Sequence, residues 1–135
     1  MTIAYEGDRD RRGIYVTAAD GTGSETLVSG AVESFGPAAW SPDGTRLAFC
    51  SQLKTVYVVK ADGTGLTAAS DVPSSSGGIF WSPDGLKLGF HNVNTDGYVD
   101  IFIVNADGSG RRAVNYTKTR RADEFAYSWQ TLATP

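Results

Sequence analysis

Apolar residues along this chain fall in short runs separated by clusters of Gly, Asp, Asn, Ser and Pro. Two kinds of run recur. The first is Ile3-Ala4-Tyr5, Leu47-Ala48-Phe49 and Leu88-Gly89-Phe90. The second is Ile14-Tyr15-Val16, Val56-Tyr57-Val58-Val59 and Ile101-Phe102-Ile103-Val104. Runs this short, rich in β-branched and aromatic residues and bounded by turn formers, predict strands. The second kind does not alternate between apolar and polar positions, which predicts a sheet covered on both faces.

The separators repeat as well. Trp40-Ser41-Pro42-Asp43-Gly44 returns as Trp81-Ser82-Pro83-Asp84-Gly85, 41 residues later, and Ser128-Trp129 begins a copy that breaks off at Gln130. Ala19-Asp20-Gly21-Thr22-Gly23 returns as Ala61-Asp62-Gly63-Thr64-Gly65 and as Ala106-Asp107-Gly108-Ser109-Gly110. Asp-Gly supplies the positive φ of a tight turn, and Pro presets the φ before it. One full unit therefore reads as four strands. These are A (Pro37 to Ser41), B (Arg46 to Ser51), C (Thr55 to Ala61) and D (Leu66 to Ser70), joined by hairpins into an antiparallel meander. A period near 40 residues suits a propeller blade.

The paired Trp-Ser-Pro-Asp-Gly turns, the Leu-Ala-Phe strand and the Ile-Tyr-Val strand with its Ala-Asp-Gly-Thr-Gly hairpin resemble the TolB-like, WD-repeat-like β-propeller family. Gly7-Asp8-Arg9-Asp10 looks like that family's usual segment between strands B and C. The resemblance covers nearly the whole chain. It implies an all-β fold of four-stranded antiparallel blades and contact with other proteins through the loop rim or central channel.

The repeat frame runs B-C-D over 1–30, A-B-C-D over 36–70, A-B-C-D over 78–117, and A over 124–130. That is three blades in a single domain of 1–135, one blade being split between the termini. Rings usually need about four to eight blades. An open arc exposes sheet faces and strand edges, which invite association. The expected repair is a homodimer in which 124–130 of one chain pairs with 3–6 of the other, giving one six-bladed ring. The alternative is a fragment of a longer propeller, not functional alone.

The totals narrow the partners. The chain has 135 residues, 41% of them apolar and 20% charged, with a net charge of −3. Nucleic acid is not expected, because no dominant positive field is available for phosphates. Cys50 has no second cysteine to pair with, so the compartment is not indicated. No apolar run is long enough for a membrane span. Met1 to Glu6 lack the pattern of a signal peptide. The chain is then cytoplasmic, or periplasmic after removal of a signal, or a piece of something longer.

In an A-B-C-D meander the A–B and C–D turns share one rim, and the B–C and D–A connections share the other. Asp20, Asp43, Asp62, Asp84 and Asp107 fall in the turns of the first rim, where Asp caps backbone N–H groups. They read as structural. Trp40, Trp81 and Trp129 are expected between blades, and Cys50 in packing.

The second rim holds the candidate ligand-binding residues, because loops that vary on a rigid scaffold are where binding residues usually sit. Asp8, Arg9 and Asp10, with Arg11 and Arg12, suit a polar ligand or a hard cation. His91, Asn92, Asn94 and Asp96 belong to the expected long B–C loop from His91 to Tyr98. Arg120 and Arg121, with Arg111, Arg112 and Lys118, suit an anionic ligand or acidic surface. For each set the competing reading is a solvated loop of good turn formers. No metal site or cofactor is expected, although a bound calcium or other cation would find oxygen donors here. No nucleophile motif, phosphate loop or dinucleotide turn occurs. The expected function is a non-enzymatic binding or scaffold protein whose partner is an unknown protein or small polar ligand. The alternative is a metal-assisted carbohydrate-active enzyme resembling the sugar-acid lyases of related propellers, for which His91 alone is an incomplete set.

Overall fold

The computed structural model describes residues 1–8, 11–30, 32–34, 36–70, 78–93, 99–114 and 129. Among them there is no helix. The strands are β1 (Thr2–Asp8), β2 (Arg12–Ala18), β3 (Thr26–Leu27), β4 (Ala39–Trp40), β5 (Arg46–Cys50), β6 (Val56–Lys60), β7 (Thr67–Ser70), β8 (Ile79–Trp81), β9 (Lys87–Val93), β10 (Val99–Asn105) and β11 (Arg112–Ala113). They form three antiparallel meanders, ordered β1-β2-β3, β4-β5-β6-β7 and β8-β9-β10-β11. The expected B-C-D, A-B-C-D, A-B-C-D frame is reproduced. The expected closing strand of 124–130 lies outside the described residues, apart from Trp129.

Side-chain alternation decides how the sheets stack. Leu47, Phe49 and Val59 of the second sheet pack on Ile14, Val16 and Val28 of the first. Ala48, Val56, Val58 and Ala69 leave by its other face and pack on Trp81, Leu88, Phe90 and Val104 of the third. The middle sheet is thus covered on both sides, which is why its strands lack polar alternation.

The three sheets repeat in detail. Each carries an aromatic pair between its second-type and first-type runs: Tyr5–Tyr15, Phe49–Tyr57 and Phe90–Phe102. Each pair is stacked with centroids 5.8 Å apart. The second and third pairs face the preceding sheet. By the same alternation Tyr5 and Tyr15 face away from the second sheet; Tyr15 and the Tyr5 hydroxyl are buried there, whereas Ile3 on the same face is 50% exposed. At the other end of the stack, Gly89 and His91 leave the third sheet opposite to Leu88 and Phe90. The ring of Phe80 lies where a Cβ on Gly89 would sit, so only glycine fits there. Trp129 meets that ring edge-on at 6.3 Å.

Candidate functional site

The two rims of the stack are built differently. On one, backbone bonds tie the A–B turn to the C–D turn: Ala61 N–H donates to Thr45 O and Ala106 N–H to Leu86 O, both at 2.9 Å. Each turn is closed by its own Asp. Asp43 accepts from Ser41 Oγ at 2.6 Å, Thr45 N–H at 3.0 Å and Thr45 Oγ1 at 2.8 Å. These bonds, the Ser41 hydroxyl first, hold its pKa down at about 2. Asp84 does the same with Ser82 and Leu86 N–H, Asp20 with Thr22, Asp62 with Thr64 and Asp107 with Ser109. All four are also held below the ordinary carboxylate value by those bonds. These carboxylates work as turn closures.

The opposite rim is the candidate site. In the second sheet Gln52 N–H donates to Glu33 O at 3.0 Å, joining the B–C turn to the D–A connection. Lys54 sits in this turn at φ 67°, the left-handed region that a side chain disfavours. Beneath it, Ser34 bridges Ser51, is fully buried, and has an Oγ with no hydrogen-bond partner. Neither Lys54 nor Ser34 was legible as a site residue in the sequence. Strain and an unsatisfied buried hydroxyl are properties of the folded backbone, not of a motif.

In the first sheet the β1–β2 hairpin brings Asp8 opposite Arg12. Arg12 Nε donates to Glu6 Oε1 at 2.9 Å, and Tyr15 Oη donates to Arg11 O at 2.9 Å. Asp8 is exposed at the hairpin's end. Arg9 and Asp10 lie outside the described residues.

In the third sheet β9 runs on to Val93. His91 and Asn92, expected in a loop, are instead strand residues paired with Ile101 and Asp100. His91 is 2% exposed, and burial pushes its imidazole below the ordinary value. Asn94, Asp96, Lys118, Arg120 and Arg121 lie outside the described residues. Among those described, Asp8 belongs to the first sheet and His91 and Asn92 to the third, with the whole second sheet between them. No group of three or more His, Cys, Asp or Glu suited to a metal occurs among the described residues. No described helix is long and apolar enough to cross a membrane.

No protein-family model and no curated protein matches the chain. Solved structures do. A chain of the nidogen/laminin complex superposes with a TM-score of 0.66 at 23% identity, covering 84% of this chain and 43% of that one. A protein described as TolB from Agrobacterium tumefaciens superposes with a TM-score of 0.64 at 24% identity, covering 83% of this chain and 44% of that one. The chain spans less than half the length of either. Superposition over this much of three stacked antiparallel meanders, one of three strands and two of four, identifies the architecture: the chain has the β-propeller fold, and its sheets are consecutive blades.

Proposed function

We propose that this chain is a non-enzymatic binding or scaffold protein, acting through the B–C and D–A rim of a propeller. The observation that carries this reading is the contrast between rims. On one, each of the five Asp side chains is taken up in closing its turn. On the other, the three blades present different residues: Asp8 with Arg11 and Arg12, then Gln52 with Lys54, then the end of β9. Variable chemistry on a repeated frame suits recognition. The similar propeller in the nidogen/laminin structure is part of a protein complex. Protein contact through the rim or channel is the corresponding proposal here.

The binding object, in this reading, is a six-bladed ring of two chains. Among the described residues, no sheet packs on the face of the first blade that bears Tyr5 and Tyr15. Its counterparts Phe49–Tyr57 and Phe90–Phe102 each rest on one. The last blade of a second copy supplies what is missing, with 124–130 pairing beside 3–6. In such a ring each rim set occurs twice, and the Asp8 hairpin of one copy follows the His91 blade of the other.

The test uses the purified protein as bait in a pull-down with quantified recovery. Wild type is compared with Asp8→Lys/Lys54→Glu, which reverses two exposed rim charges. A partner held by wild type and lost by the double variant, with native mass unchanged, supports the reading. Equal recovery by both refutes rim binding.

A further inference from the structure

The second and third blades each begin with a strand that ends in tryptophan, Trp40 in β4 and Trp81 in β8. Trp81 shows what that residue takes from the blade before it. Its Nε1 donates to Ala39 O at 3.0 Å. Its ring lies in one apolar cluster with Ala39 and Ala48, two small residues paired across strands A and B of the second blade. At the far end of the stack the corresponding pair is Phe80 and Gly89. There the Phe80 ring fills the space over Gly89, and Trp129 meets that ring edge-on at 6.3 Å. The buried Trp129 Nε1 has no hydrogen-bond partner among the described residues. A tryptophan latch thus needs a strand-A carbonyl and a pair of small residues beside it.

Trp40 has half of this. It packs on the cluster between the first and second blades, and so does Ala4, which holds in β1 the repeat position of Ala48. The first sheet is ordered β1-β2-β3, so among the described residues no strand A lies beside β1 and no carbonyl takes the place of Ala39 O. In the same edge strand Ile3 is 50% exposed, whereas Leu47 and Leu88 at its repeat position are fully buried.

We infer that Trp40 is the specificity-determining residue of the junction between chains, its indole N–H donating to the backbone carbonyl of Ser128 of the second copy. This rests on the two-chain ring proposed above. Ser128 lies outside the described residues, and its assignment comes from the repeat. Ser128-Trp129 holds the place of Ala39-Trp40 and Phe80-Trp81, whose pairing with strand B sets Ser128 opposite Ala4 and Trp129 opposite Ile3. Ser128 is small, like Ala39 and unlike Phe80, so with Ala4 it makes the kind of pair that accepts the Trp81 indole. Backbone bonding at the β1 edge would take any extended segment. Trp40 adds a demand at one register position, because a slip by one residue would set Tyr127 or Trp129 opposite Ala4.

The test measures dimer dissociation of the full chain by sedimentation equilibrium and exchange of the indole N–H groups by NMR. Trp40→Phe keeps an aromatic ring and removes the donor. It should weaken the dimer about tenfold at each junction, as loss of a bond to a buried carbonyl predicts. Trp81→Phe removes a latch inside one chain, and should lower stability while leaving dimer dissociation unchanged. Ser128→Phe installs the arrangement of Phe80, and should weaken the dimer with Trp40 intact. It also serves as the second variant should Trp40→Phe fail to fold. In the wild-type dimer the Trp40 N–H should exchange slowly, and in a single-chain variant quickly. A wild-type dimer whose dissociation is unchanged by Trp40→Phe overturns the inference and leaves the ring standing. Dissociation unchanged by Ser128→Phe overturns the small-pair part of it. A wild-type protein that never dimerises overturns the ring and the inference together.

Discussion

The indole of Trp81 donates from Nε1 to the backbone carbonyl of Ala39 at 3.0 Å, joining strand A of one blade to strand A of the blade before it. The same ring is capped by Arg46, whose Cζ lies 4.8 Å from its centroid and whose Nη2 donates to Gly85 O at 2.7 Å. One residue of the repeated Trp-Ser-Pro-Asp-Gly motif thus works as a latch between blades. Trp129 makes a different contact one blade further on: its ring meets Phe80, the neighbour of Trp81 in β8, edge-on, and its buried Nε1 has no hydrogen-bond partner among the described residues.

Trp81→Phe keeps an aromatic ring but leaves Ala39 O without its donor. The expected cost is about 1–3 kcal/mol, read as a lower denaturant midpoint. Arg46→Met in the Trp81→Phe background should cost less than in wild type, because the cation–π contact is weakened already. Full additivity in this cycle would show that the two contacts do not form one latch.

Lys54 offers a test of the candidate rim. Lys54→Gly relieves a left-handed backbone and should raise stability by up to about 1 kcal/mol, partly offset by glycine's greater unfolded freedom. If Lys54 is retained for recognition, the same variant loses partner recovery while its melting temperature rises. A destabilised Lys54→Gly would contradict the strain at φ 67°.

His91 gives the near-neutral pH response. Its imidazole titrates lower when folded than its unfolded value of 6.5, because burial penalises the charged form. The unfolded chain therefore binds the extra proton first, and stability falls as the pH drops below 6.5 towards the folded value. His91→Gln should flatten that slope in thermal melts. An unchanged slope would place the titration on another group.

At lower pH the Asp turns take over. Asp43 falls from 3.8 unfolded to about 2 folded, so the stability it contributes is complete above 3.8 and is lost as pH falls towards 2. Asp43→Asn should lower stability at neutral pH and reduce the loss across that window. Equal acid sensitivity in both proteins would remove Asp43 from the account.

Much of this fold was legible because the chain repeats itself. The Asp-Gly turns and aromatic-centred runs set the strand frame, and three stacked aromatic pairs with the same spacing confirm the register. The site was less legible. His91 breaks an apolar run and so reads as the start of a loop, yet pairing with Ile101 carries β9 through it to Val93. Arg111 reads as part of a basic cluster, although its place in the repeat is that of Leu66 in the preceding unit. β3, β4 and β11 have two residues each, too short for a run to mark their ends.

The ring itself is tested most directly by native mass. Sedimentation equilibrium at micromolar concentration should give twice the 14.3 kDa chain mass. Ile3→Asp, which places a charge in the strand proposed to pair with 124–130 of the second copy, should return the folded protein to one chain mass. A wild-type protein that stays at 14.3 kDa with its sheets intact would contradict the two-chain ring.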